Sequence, residues 1–203
     1  GTDIKRPSLT GIHLEIYSDT VRASACDAFR MAVTEIKCNC GGKMSVTVPK
    51  QSFFYLANAV EDKDLLEFGL NANTLVFIKS DMLFSTRIIS EPFMNIDRLL
   101  NMPDKMLVAK IKANDMKTMA ETVSMITNVS EDTAPVLLKF KNNNLQLSIE
   151  STEAESTLNV PIESVNMISG EFYYNAKYFS DMLKVIRGDV DVYMTKRGIL
   201  YAS

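Results

Sequence analysis

Three evenly spaced helical faces constrain this chain more than any other feature. Phe53, Leu56, Ala57 and Val60 fall at i, i+3, i+4 and i+7; so do Met116, Met119, Ala120 and Val123, and again Phe179, Met182, Leu183 and Ile186. Each set lies on one stripe of a 3.6-residue helix. The three sets begin 63 residues apart, and a fixed offset marks an internal repeat. The flanks repeat too. A strand-like run precedes each helix: MSVTV (44–48), MLVAKI (106–111) and EFYY (171–174). Asn114 and Asn175 are candidate N-caps, because a short side-chain oxygen can accept from the free N–H groups of a first turn.

Hairpins follow the helices. LLEFGL, NAN and TLVFI (65–78) form one, VLLKF, KNNN and LQLSI (136–149) another, and VDVYM, TKRG and ILYAS begin a third. Their Asn- and Gly-containing centres suit the positive φ angles of tight turns. The repeated unit is therefore β-α-β-β-β. The alternation in LTGIHLEIYSDTVRASA (9–25) adds a further hairpin with no helix before it. The predicted fold class is α+β, with helices on one face of antiparallel sheets. EPFMNIDRLLNMPDK (91–105), with two prolines, reads as a linker between two lobes.

Composition excludes several roles. The chain of 203 residues carries 22 basic and 25 acidic residues, a net charge of −3. That balance argues against coating nucleic acid by bulk electrostatics, while leaving room for local cationic faces. No apolar run reaches membrane-spanning length, so no membrane association is expected. Three cysteines, Cys26, Cys38 and Cys40, make poor material for a disulfide framework and fit a reducing cytoplasm. CNCGGK (38–43) lacks the four ligands of structural zinc, since His13 is the only histidine. It is expected to be a Gly-rich turn with incidental thiols, with no metal and no cofactor.

Catalysis has little support. His13 sits in an alternating pattern and reads as a partly exposed strand residue, and Cys26 has no assignable histidine base. No Gly-rich phosphate loop is present: CGGK lacks the required spacing and hydroxyl. The 12 methionines are more informative, because Met suits adaptable binding surfaces. Met116, Met119 and Met182 lie on core faces, whereas Met31 and Met94 fall outside that pattern. On the third helix Lys177 and Lys184 share an outward face, with Asp181 between them and Arg187 at the end. Such sparse cations can touch DNA phosphates without reading sequence.

RPSLTGIHLEI, ACDAFRMAV, VTVPKQSF, FSTRII and FMNIDRLL occur in that order. Together they resemble the bacterial sliding clamp, the beta subunit of DNA polymerase III, from about residue 6 to residue 201. The resemblance implies a DNA clamp (processivity) fold of β-α-β-β-β units, with residues 1–95 as a partial middle domain and 96–203 as the C-terminal domain. It implies a non-catalytic cytoplasmic processivity factor that encircles duplex DNA. Its implied partners are the DNA polymerase III catalytic subunit and the clamp loader, engaged through short hydrophobic peptide motifs. The peptide pocket maps onto Leu9, Cys26, Ala28, Phe29, Arg30, Met31, Met94, Leu99, Tyr178 and Leu200. The DNA-facing positions map onto Arg6, Lys50, Lys117, Lys177, Lys184 and Arg187.

Several positions depart from the family pattern. The family usually has Thr-Asp-Gly-(His or Tyr)-Arg-Leu where this chain has Cys26 to Met31, and commonly Pro at Met94; these swaps keep the pocket apolar but alter its shape. Against the family's length, the first domain, the opening strand and helix of the middle domain, and the closing strand are expected to lie outside this sequence. Self-association is implied for the full-length ring, and exposed sheet edges predict it for this chain as well. The alternative is a stand-alone adaptor that competes for clamp-binding motifs without encircling DNA.

Overall fold

The computed structural model describes residues 5–129, 135–150 and 155–203. It divides into two compact units, Gly1–Asp97 and Arg98–Ser203. In the first, a 3-10 turn, Pro7–Thr10, leads into β1 (Gly11–Ile16), β2 (Thr20–Cys26), β3 (Met31–Lys37) and β4 (Met44–Pro49). These make one antiparallel sheet in the order β3-β2-β1-β4. The chain passes from β4 directly into α1 (Lys50–Ala59), then forms β5 (Glu67–Asn71), β6 (Thr74–Lys79) and β7 (Met82–Arg87) as a second, three-stranded sheet. Leu14, Val46, Val48, Leu56, Leu75 and Phe77 form the core between these elements.

The helical stripe on α1 is only partly buried. Leu56 is buried and Phe53 packs beside it, but Ala57 is exposed, and Phe54 and Tyr55 are 64% and 61% exposed. The β5–β6 turn is tighter than the predicted NAN connection. Asn71 pairs with Thr74, and Ala72, not an asparagine, takes the positive φ, at 50°.

The second unit holds one whole β-α-β-β-β repeat followed by a β-α-β-β run. The segment 91–105, expected to be a linker, contains a short helix, α2 (Ile96–Leu100), whose Ile96 is buried. There follow β8 (Met106–Ile111), α3 (Ala113–Val129), β9 (Pro135–Lys141), β10 (Asn144–Glu150), β11 (Glu155–Pro161) and β12 (Glu163–Ser164). The last elements are β13 (Phe172–Asn175), α4 (Ala176–Val185), β14 (Val190–Met194) and β15 (Leu200–Ala202). Two four-stranded sheets result, β11-β10-β9-β13 and β12-β8-β14-β15. α3 packs on α4, joined by a 3.2 Å contact between the Ser124 and Ser180 hydroxyls. Met116, Met119 and Val123 of α3 meet Phe179 and Leu183 of α4 in one core with Leu138, Leu145 and Leu147 of the sheet. The fold is thus α+β, and every strand pairing among the described residues is antiparallel.

Asn175 caps α4: its side-chain oxygen accepts from the Tyr178 N–H at 3.1 Å. Asn114 does not cap α3, because it lies inside the first turn. The Ala113 N–H there donates to Asp189 at 3.0 Å, and the same carboxylate pairs with Lys112 at 2.8 Å. A residue distant in sequence takes the role expected of a local one. Cys38 and Cys40 are also corrected: they are joined in a disulfide rather than lying as incidental thiols. Their loop is fixed by backbone bonds from Cys38 to Asp19 and from Cys40 to Ser18.

His13 is buried rather than partly exposed. Nδ1 lies 2.9 Å from the Thr47 hydroxyl, Nε2 lies 3.3 Å from that of Ser45, and the ring stacks on Phe93 at 4.7 Å. Burial depresses its pKa below the ordinary 6.5, against the opposing pull of Glu15. Folding therefore favours neutral His13. Its contribution is complete above pH 6.5 and is lost as pH falls through 6.5 toward the depressed folded value. The first unit is expected to lose stability between pH 7 and pH 5, and His13→Gln to flatten that slope. Amide hydrogen exchange of β1 and β4 at both pH values measures it; an unchanged slope in the variant refutes the assignment.

Candidate partner-binding surface

The β2–β3 turn is built around one carboxylate. The Asp27 N–H donates to the Arg30 carbonyl at 3.2 Å and closes the hairpin. Asp27 Oδ1 accepts from the N–H groups of Phe29 at 3.3 Å and Arg30 at 3.1 Å, while Oδ2 accepts from Arg30 Nε at 2.8 Å. Partial burial works to raise the Asp27 pKa, but the Arg30 guanidinium and the two N–H groups outweigh it and hold it below the ordinary value. Ala28 adopts a left-handed φ of 72°, a conformation that costs a side chain about 1–2 kcal/mol relative to glycine. The turn thereby presents Phe29 with 78% of its surface exposed. Three hydrogen bonds fix the backbone and the Arg30–Asp27 side-chain contact braces it, so the large ring is displayed on a preorganised turn.

The other predicted pocket positions of the first unit divide by depth. Leu9 and Cys26 are buried, at 3% and 8% exposure, and the Cys26 thiol is free. Met31 is half-buried opposite Cys26, and Met94 is 36% exposed. Cys26, Ala28, Phe29, Arg30 and Met31 thus come together on one hairpin, with Leu9 on the 3-10 turn packed against β1 and β2. In the second unit Leu99, Tyr178 and Leu200 are all half-buried. The Tyr201 hydroxyl donates to the Leu99 carbonyl at 2.8 Å, which ties Leu99 to the strand carrying Leu200. Tyr178 stands on the first turn of α4.

All six candidate DNA-facing cations are exposed. Arg6 precedes the 3-10 turn and Lys50 opens α1. Lys117 on α3 lies 3.9 Å from Glu121, and Lys184 on α4 lies 3.9 Å from Asp181. Lys177 is in the first turn of α4. Arg187 lies just beyond that helix and donates to the carbonyls of Lys184 and Ile186. Acidic neighbours dilute the positive charge of these helices, which favours light phosphate contact over tight electrostatic capture. Among the described residues no group of three His, Cys, Asp or Glu side chains is placed to hold a metal ion, and no helix is long and apolar enough to cross a membrane.

Lys105, Tyr193 and Tyr201, which sit beside Leu99 and Leu200, belong to no motif in the sequence. The only local signal is the facing of two tyrosines across β14 and β15.

Residues 1–95 match the family model described as DNA polymerase III beta subunit, central domain. The beta sliding clamp of Synechocystis is 24% identical over 91% of this chain and 51% of its own length. That of Bacillus subtilis is 26% identical over 92% of this chain and 50% of its own length. The chain therefore spans about half the length of the curated relatives it matches. Among solved structures, a sliding clamp from Pseudomonas aeruginosa bound to griselimycin superposes with a TM-score of 0.84 at 21% identity. That superposition covers 100% of this chain and 55% of the other. The chain resembles the bacterial sliding clamps and carries their fold.

Proposed function

We propose that this relative of the bacterial sliding clamps is part of a DNA-encircling processivity factor in the cytoplasm. It holds duplex DNA through sparse cations without reading sequence. It tethers the DNA polymerase III catalytic subunit and the clamp loader through short hydrophobic peptides, and it performs no catalysis of its own. The DNA-facing groups are Arg6, Lys50, Lys117, Lys177, Lys184 and Arg187. Peptide recognition belongs to Leu9, Cys26, Ala28, Phe29, Arg30, Met31 and Met94 on the first unit, and to Leu99, Tyr178 and Leu200 on the second. The similar proteins above are named as sliding clamps, which favours this reading over the stand-alone adaptor.

One observation carries the proposal: the Asp27-braced turn that holds Phe29 out to solvent with Arg30 and Met31 beside it. An exposed ring on a rigid turn costs little entropy to dock, so it gains affinity where a flexible loop would not. Griselimycin is the probe, since a solved relative is named as bound to it. Titration by calorimetry is expected to show binding that Phe29→Ala, Arg30→Ala and Met31→Ala each weaken, by about tenfold for the ring, consistent with the loss of a buried aromatic anchor. A folded wild-type chain that does not bind griselimycin removes the peptide-binding assignment.

A further inference from the structure

The second unit contains a cationic clasp that the proposed function does not use. Lys105 Nζ lies 4.7 Å from the centroid of the Tyr193 ring and 4.6 Å from that of Tyr201. The two tyrosines face each other across β14 and β15. The same ammonium group donates to the Leu100 carbonyl at 3.2 Å, and the Tyr201 hydroxyl donates to the Leu99 carbonyl at 2.8 Å. Nearby, the Lys196 N–H donates to Asp104 at 3.1 Å, fixing the loop between β14 and β15 to the same segment.

These contacts have a clear physical logic. The last carbonyls of a helix have no partner within it and carry partial negative charge. α2 ends at Leu100, and its final carbonyls receive a phenolic hydroxyl and an ammonium group instead of water. Each cation–π contact adds attraction that grows as the group leaves water, and all three side chains are half-buried. The cluster is therefore a device for holding a backbone segment in one place. The segment it holds carries Leu99, and the strand it holds it to carries Leu200.

We infer that Lys105, clasped by Tyr193 and Tyr201, is a positioning residue for partner-peptide recognition, fixing Leu99 relative to Leu200 to receive an apolar side chain of the peptide. This rests on the assignment of Leu99 and Leu200 proposed above. The ligand does not touch the ammonium group; the ammonium acts through the backbone it anchors. Lys105→Met keeps the length of the side chain and removes the charge. Tyr201→Phe keeps the ring and removes the bond to Leu99. Lys105→Arg keeps a cation able to stack on both rings.

Griselimycin titration of the full chain separates the possibilities. Lys105→Met and Tyr201→Phe are each expected to bind about threefold to tenfold more weakly than wild type, the range that one or two lost cation–π or hydrogen-bond contacts produce. Lys105→Arg is expected to restore wild-type affinity. The amides of residues 99–102, 104 and 105 should exchange faster in the first two variants, while those of β9 and β10 stay protected. Wild-type affinity in a folded Lys105→Met protein overturns the inference; if that variant does not fold, wild-type affinity in Tyr201→Phe overturns it equally. Binding lost in Arg30→Ala but kept in both clasp variants removes the clasp alone. No binding by the wild type removes the peptide assignment and the inference with it.

Discussion

Leu147→Ala is expected to destabilise the second unit by about 2–5 kcal/mol, the range for truncating a fully buried leucine. Leu147 is 0% exposed on β10, an inner strand of β11-β10-β9-β13. It faces Leu138 on β9 and Leu158 on β11, and belongs to the core that α3 and α4 complete with Met119, Val123, Phe179 and Leu183. Removing three carbons there deletes transfer free energy and leaves a void lined from both sheet and helices. Those neighbours are held by strand registers on two sides, so they have little freedom to close it. Urea denaturation read through exchange of the β9 and β10 amides measures the loss. Leu158→Ala is the internal comparison: it lies on the edge strand, is only half-buried, and should cost less. Equal costs at the two sites would mean that the void at 147 collapses after all.

That same core positions α3 and α4. Their buried stripes point into it, leaving Lys117, Lys177 and Lys184 on exposed surface. The proposed phosphate contact therefore depends on leucines that never meet DNA. A core variant should lose DNA retention in proportion to its unfolded fraction, with no change in how the folded fraction depends on salt.

The parts of this architecture that could be read in the sequence are those written in local period. Phe179 and Leu183 mark α4 because a helix buried on one side repeats its apolar residues every three or four positions. β10 is legible because Leu145, Leu147 and Ile149 alternate with polar residues, and all three are buried. The stretch from Cys26 to Met31 is legible as one hairpin turn because its residues are adjacent; its proposed role in peptide binding came from the resemblance and not from any local period. Long-range contacts were not legible. Asp189 serves the start of α3 from 76 residues away, a role no local pattern announces. His13 looked half-exposed because strand alternation says nothing about what covers the outer face; Phe93 stacks over it there. Ala57 shows the converse failure, since its place on an apolar stripe states a capacity for burial that the fold does not use.

The clasp at Lys105 is the same lesson at the site. PDK between a short helix and a strand reads as a solvated turn, and its two tyrosines lie 88 and 96 residues later in the chain. Only the pairing of β14 with β15, and of β14 with β8, brings them to the lysine. Residues that display an anchor can be adjacent in sequence; residues that fix a backbone must come from wherever the sheet places them.

Gly11→Ala is expected to produce the second large effect, in the first unit. Gly11 has a φ of −107°, open to any residue, so the argument is about space rather than backbone conformation. A Cβ there would lie 2.6 Å from the Val48 carbonyl oxygen, 2.8 Å from Thr47 Cγ2 and 2.9 Å from Ile89 Cδ1. The first of these is backbone, held in the β1–β4 register by the pairing of Ile12 with Val48. It cannot retreat without opening that ladder, and Ile89 is fixed in turn by its own N–H bond to the Thr47 carbonyl. Overpacking of this kind costs about 1–3 kcal/mol. The damage should spread upstream, because the Gly11 N–H also bonds the Ser8 carbonyl and closes the turn that buries Leu9. Faster exchange is expected in β1, in β4 and at Ile89, with β9 and β10 as the unaffected reference and weaker griselimycin binding alongside. Gly69→Ala on β5 is the control: its added Cβ would meet nothing within 4 Å, so it should leave both readouts unchanged. Wild-type exchange in Gly11→Ala would show that β1 and β4 can separate slightly without loss, and that their close approach is not what holds the first sheet in register.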